Sequence, residues 1–144
     1  MTAEKDALHF HYDVDGNNFT SAGEASVQVK RMLRQMGFHP DLIRRISVAM
    51  YEGEINMVIH AKGGDADVYV TPECITVILK DVGPGIKDID LAMQEGFSTA
   101  PDNIRSLGFG AGMGLPNMKR YSDELKIDST VGVGTTITMT FRSA

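Results

Sequence analysis

The residues best equipped for chemistry fall into three groups. Glu52, Asn56 and His60 are spaced by four, so on a helix they share one face and form a polar stripe. Asn56 offers a neutral amide oxygen that can ligate Mg²⁺ without cancelling its charge. Glu52, one turn earlier, can act as general base on a hydroxyl or water. The stripe taken alone also fits a solvated edge of an amphipathic helix, and that plainer reading is the favoured one for it. Glu54 falls off the stripe and reads as solvated, and His60 reads as a complement to the dipole at a helix C-terminus.

The second group is Asp81-Val-Gly83-Pro-Gly85-Ile86, which follows a run of buried strand character. A carboxylate at a strand end can accept from an exocyclic amine such as adenine N6, and glycines let backbone approach a flat ring. An ordinary strand-ending turn uses the same residue types. The third group is Gly108-Phe-Gly110-Ala-Gly112-Met113-Gly114-Leu115-Pro116, with glycine at every second position just before a helix. Successive amides ahead of a helix N-terminus make an anion cradle, and a phosphate chain is its natural guest. A flexible linker is the plain alternative, but linkers do not usually end in a helix with proline near its start. No Gly-Lys-Ser or Gly-Lys-Thr follows, so this is not a P-loop, and the spacing does not fit the dinucleotide-binding rule.

Positioning these groups requires a definite series of elements. Leu8–Val14 alternates as a half-buried strand does, and Asp15 to Asn18 supplies turn chemistry. Ala25–Met36 has helical spacing closed by Gly37, with Val27, Leu33 and Met36 assigned to the core while a homodimer interface stays open for them. Pro40 and Asp41 begin a second helix whose apolar positions continue to His60, before Lys62-Gly63-Gly64 breaks it. Asp67–Thr71 and Cys74–Lys80 form a hairpin, and Asp88–Glu95 a short helix. Residues 96–113 show no period and read as a mobile loop. Leu115–Tyr121 is helical, and Leu125–Ser129 and Thr135–Phe141 form a closing hairpin. The fold expected is an α/β two-layer sandwich, with a mixed, mainly antiparallel sheet covered on one face by helices.

The whole chain sets bounds on this reading. At 144 residues with 42% hydrophobic content it fits one domain, 1–144, able to bury a core. A net charge of −5 without a basic stripe speaks against a nucleic-acid surface. Cys74 is the sole cysteine, which excludes an internal disulfide. No signal-peptide pattern opens the chain and no apolar run approaches the roughly 20 residues of a membrane span. A cytoplasmic location is expected.

In this order the three groups, with Gly134-Thr135 after them, resemble the GHKL ATPase superfamily, which includes gyrase and the histidine kinases. Glu52-x-x-x-Asn56 matches its N box, Asp81-x-Gly83-x-Gly85 its G1 box, Gly108 to Gly114 its G2 box, and Gly134-Thr135 its last element. The likeness spans Ile46 to Phe141. It implies the Bergerat ATP-binding fold with ATP and Mg²⁺ as cofactors. Asn56 would then hold the metal, Asp81 adenine N6, Thr135 that contact, and Gly110, Gly112 and Gly114 the phosphates, with Gly108 also at the nucleotide. Gly83, Gly85, Ile86, Met113 and Leu115 would line the nucleotide, and residues 96–113 would be an ATP lid.

Within the superfamily, Asp81 to Thr99, Gly114 to Arg120 and Asp123 to Ser129 are most similar to bacterial anti-sigma and stressosome serine/threonine kinases. That likeness implies Glu52 as the base activating a serine or threonine on a partner. The partner would be an antagonist, a sigma factor or a stressosome-like scaffold. Two functions are carried forward: a switch protein kinase, and a nucleotide-gated module that captures a regulator without phosphorylating it. A plain ATP hydrolase ranks below both. A self-contained histidine kinase is disfavoured, because His9, His11 and His39 do not lie on a helical hairpin.

Overall fold

The computed structural model describes residues 7–16, 22–86, 88–93 and 114–143. Strand β1 is Leu8–Asp15, followed by helices α1 (Glu24–Gln35) and α2 (Pro40–His60). Strands β2 (Gly63–Val70) and β3 (Cys74–Asp81) come next, then one helical turn, α3 (Ile89–Ala92). Helix α4 (Gly114–Tyr121) and strands β4 (Glu124–Thr130) and β5 (Gly134–Arg142) complete the described chain. The expected two-layer sandwich is formed, and all four strand pairings are antiparallel, in the order β1-β2-β3-β5-β4.

Alternation along the strands decides which face is covered. Ala66, Val68 and Val70 of β2, Ile75, Val77 and Leu79 of β3, and Ile137, Met139 and Phe141 of β5 are buried in one apolar cluster with α1, α2 and α4. The residues between them point to the other face, which the helices leave open. β5 enters the sheet between β3 and β4, so the last strand lies beside the strand that ends in Asp81. That placement joins Thr135 to Asp81 across 54 residues of sequence.

Helix α1 ends in a Schellman arrangement: the Gly37 amide donates to Arg34 and the Phe38 amide to Leu33, at 3.1 and 3.2 Å. Of the three apolar residues expected in its core face, Leu33 is buried, while Val27 and Met36 are 54% and 42% exposed. Helix α2 starts as expected, with Pro40 in the first turn and the His39 side chain accepting from the Asp41 amide. Its buried set includes Ile46, Ala49, Met50, Gly53, Ile55 and Met57. A Cβ on Gly53 would stand 2.1 Å from Leu79 Cδ1, so a larger residue where α2 crosses β3 would have to displace the buried Leu79 side chain.

Two local readings are corrected. β2 starts at Gly63 rather than near Asp67, because Gly63 to Ala66 pair with β1 on one side and Gly64 to Ala66 with β3 on the other. Glu54 is not solvated: it is 2% exposed, and its carboxylate accepts the amides of Gly23, Ala25 and Ser26 at 3.1, 3.2 and 2.7 Å. Helix α1 has no side-chain cap of its own, so Glu54 of α2 supplies one and complements the dipole. Glu54→Ala strands those donors, and a loss of about 2–4 kcal/mol is expected from the urea midpoint.

Burial pushes the Glu54 carboxyl above its usual range, partly opposed by the three amides. A folded pKa above the unfolded one gives stability that is present at acid pH and lost as pH rises through the raised value. The difference between wild type and Glu54→Ala is therefore larger below the ordinary glutamate range than at neutral pH.

Candidate functional site

The site is organised along α2. Glu52 and Asn56 are both half-buried and face α4, which runs antiparallel to α2 beside them. A Cβ on Gly114 would lie 2.5 Å from Asn56 Nδ2, so the first residue of α4 is pressed against the Asn56 carboxamide. One turn on, Asn117 Nδ2 donates to Glu52 Oε1 at 3.4 Å. At the far end of α4, the Tyr121 carbonyl accepts from Arg45 at 3.4 Å. Met118 and Leu115 anchor this helix in the core, both buried. The Leu115 side chain thus sits in the apolar cluster.

The loop after β3 closes the other end. The Lys62 amide donates to the Val82 carbonyl and the Val82 amide to Gly63, at 2.9 and 3.2 Å, which joins the loop to the end of α2. Gly83 lies against Ala61 there. Gly85 has φ +75°, a left-handed conformation that glycine adopts without strain, and a Cβ would meet the Thr130 carbonyl at 2.6 Å. The Gly83 amide donates to Val133 at 3.2 Å and the Gly132 amide to Pro84 at 2.8 Å. The loop is thereby clamped to the β4–β5 turn.

Asp81 stands at the centre of that clamp. Its Oδ1 accepts the Thr135 amide at 2.9 Å, which leaves the carboxylate other lone pairs for a further donor. Burial pushes its carboxyl above the ordinary aspartate range, partly offset by the Thr135 amide. Thr135 Oγ1 lies 3.0 Å from Ser129 Oγ, and that hydroxyl accepts the Ile86 amide at 2.7 Å. Ile86, Ser129, Thr135 and Asp81 therefore form one connected network.

Ser129 and Asn117 were assigned no role from sequence. Ser129 carried a signal, because counting back from the hairpin turn places it directly opposite Thr135. Asn117 carried little, since its contact depends on how α4 packs on α2. His60, the third member of the stripe, is half-buried, and burial holds its imidazole below the usual range. Gly108, Gly110, Gly112 and Met113, with the 96–113 lid, lie outside the described residues.

Positions along α2 give the site a linear scale. With a rise of about 1.5 Å per residue, Asn56 is roughly 6 Å from Glu52 and a similar distance from His60, beside which the Asp81 loop is docked. The order is Asp81 network, then Asn56 with Gly114, then Glu52 with Asn117. The N-terminus of α4 at Asn56 adds the positive end of a helix dipole to the middle of this series. The Asn56 carboxamide fills the position a Cβ at residue 114 would take, with Nδ2 nearest and Oδ1 3.1 Å from it, and its oxygen is of the type that ligates a hard cation.

Comparison with known proteins gives the family and agrees with the fold. Residues 17–141 match the model of the histidine kinase-like ATPase domain. The chain is 34% identical over 121 residues to an anti-sigma F factor of Clostridium novyi, covering 80% of this chain and 81% of that protein. It is 32% identical over 112 residues to the serine/threonine-protein kinase RsbT of Bacillus subtilis, covering 75% and 78%. A crystal structure of the RsbU and RsbW domains of a Mycobacterium tuberculosis protein has the same fold, with TM-score 0.64 at 19% identity. That match takes in 94% of this chain and 32% of the other. The chain belongs to the histidine kinase-like ATPase domain family.

Proposed function

We propose that this protein is an ATP-dependent serine/threonine protein kinase that transfers the γ-phosphate to a hydroxyl of a regulatory partner protein. The observation that supports it is the single line along α2, with an adenine acceptor at one end, a cation ligand in the middle and a base at the other. Asp81 accepts the exocyclic N6–H₂ of adenine, its orientation held by the Thr135 amide. Asn56 Oδ1 would hold Mg²⁺, and the N-terminal end of α4, packed against Asn56, would favour the phosphates through its dipole. The ion, when bound, neutralises charge on the transferring and leaving oxygens.

Glu52 serves the last step. Its carboxylate, steadied by Asn117 Nδ2, takes the proton of the partner's hydroxyl as that oxygen bonds to the γ-phosphorus. The bond from the γ-phosphorus to the bridging oxygen breaks and ADP leaves. Both anti-sigma F factor and a serine/threonine kinase stand among the relatives, so the partner class we propose is an anti-sigma antagonist, a sigma factor or a related scaffold. We place the single domain in the cytoplasm, where ATP is supplied. No helix among the described residues is long and apolar enough to cross a membrane.

Incubation with γ-labelled ATP and purified candidate antagonists tests the proposal. Label is expected on a serine or threonine of one partner. Bound ATP with no label on any partner overturns the kinase and leaves a nucleotide-gated binding module in its place.

A further inference from the structure

Helix α1 presents an outward face that the nucleotide groove does not use. Val27, Lys30, Arg31 and Arg34 recur at intervals of three and four along it, so they share one side of the helix. Val29 and Leu33 hold the opposite side in the core, whereas Val27 and the three cations are exposed. Elsewhere Arg44, Arg45 and Arg142 pair with the carboxylates of Asp41, Asp123 and Glu124. Among the described residues Lys30, Arg31 and Arg34 make no ion pair, on a chain whose net charge is −5.

The same face opens onto a hollow of about 440 Å³ where α1 meets α2. Val27 and Tyr51 give it apolar surface, and Glu24, Gln28 and Arg31 give it polar groups. A Cβ on Gly23 would lie 2.8 Å from the Tyr51 ring, so that ring packs directly on the start of α1. Tyrosine beside arginine around an apolar centre is the composition that protein interfaces favour. Tyr51 immediately precedes Glu52, and His60, beside which the Asp81 loop is docked, is roughly 14 Å further along α2. The hollow therefore borders the Glu52 end of the groove and not the Asp81 end.

We propose that this face of α1, together with Tyr51, is the docking surface for the regulatory partner, which supplies acidic groups to Lys30, Arg31 and Arg34 and an apolar side chain to the hollow between Val27 and Tyr51. The proposal takes from the kinase reading only the identity of the occupant, as the protein that presents a hydroxyl to Glu52. Three cations without ion pairs on an acidic chain select an acidic partner by complementarity and speed its approach. The hollow sets the register, because a partner anchored at Tyr51 has little further to reach to bring its hydroxyl to the neighbouring Glu52 carboxylate. A second copy of this chain fits less well. A two-fold contact puts the same patch on itself, so three cations meet three with a single glutamate on each helix to offset them.

The probes are the purified candidate antagonists of the γ-labelled ATP assay. Each is titrated onto the full chain with Mg²⁺ and a non-hydrolysable ATP analogue and read by calorimetry, which scores binding apart from transfer. Arg31→Glu and Val27→Gln are each expected to weaken the partner by about 10-fold or more, with circular dichroism and nucleotide affinity unchanged. Lys126→Glu, exposed on β4, leaves the partner bound as in wild type. Added salt weakens wild type more than Arg31→Glu. In transfer assays the two α1 variants raise KM and retain kcat. Equal affinity in wild type and both variants overturns the proposal, as does the absence of binding by every candidate. Self-association of the chain that Arg31→Glu abolishes in sedimentation assigns the face to a second copy and sinks the partner. Binding that depends on α1 but leaves no label keeps this surface and removes the kinase, whereas label passed by both variants at the wild-type KM does the reverse.

Discussion

Glu52→Gln is expected to keep Mg²⁺-ATP bound near wild-type affinity and to slow phosphoryl transfer to the partner by about 10²- to 10⁴-fold, the range a general base contributes. Glutamine matches glutamate in shape and retains an Oε1 for Asn117 Nδ2, which lies 3.4 Å from Glu52 Oε1 in the native chain. The packing of α4 on α2 rests on the buried Met118 and Leu115, with Met118 Sδ beside Gly53, so it is untouched. What glutamine lacks is a basic oxygen at neutral pH. Single-turnover transfer of label, compared with nucleotide affinity from calorimetry, separates the two quantities. Transfer at the wild-type rate removes Glu52 as the base.

Asn56→Ala has its effect on binding instead. Loss of a direct cation ligand costs more than loss of an outer partner, which itself costs about 10- to 100-fold, so Mg²⁺-dependent ATP affinity falls by at least about 100-fold. The fold is expected to survive, because Asn56 is half-buried and contributes no hydrophobic core contact. Calorimetric titration with and without EDTA checks it: wild type shows a large metal-dependent gain and Asn56→Ala shows none. An unchanged affinity means that Asn56 holds no cation.

The sequence made the helices and hairpins legible because their patterns are local. The 3.6-residue period of α2, Pro40 at its start and Gly37 before it all lie within one run of chain. The N-box spacing of Glu52 and Asn56 was readable for the same reason, since positions four apart on a helix share a face. The network around Asp81 was less so. That Thr135 belongs with Asp81 came from the family likeness, and the physical cause is the insertion of β5 beside β3, a choice of strand order that no local pattern encodes.

Glu54 shows the other limit. A glutamate between Gly53 and Ile55 off the polar stripe looks solvated until α1 is docked with bare amides at its start. Its role depends on two elements meeting with 28 residues or more of sequence between donor and acceptor. The divergence of Leu33 from Val27 and Met36 has the same origin, because periodicity gives a face its residues but not the edge where burial stops.

The central claim is that one face of α2 sets the direction of the nucleotide, and a crystal structure with Mg²⁺ and a non-hydrolysable ATP analogue tests it most directly. The account predicts adenine N6 on Asp81, the cation on Asn56 Oδ1 beside Gly114, and the γ-phosphate pointing toward Glu52. A nucleotide bound away from α2, or one with its phosphates at Asp81 and its adenine at Glu52, contradicts it.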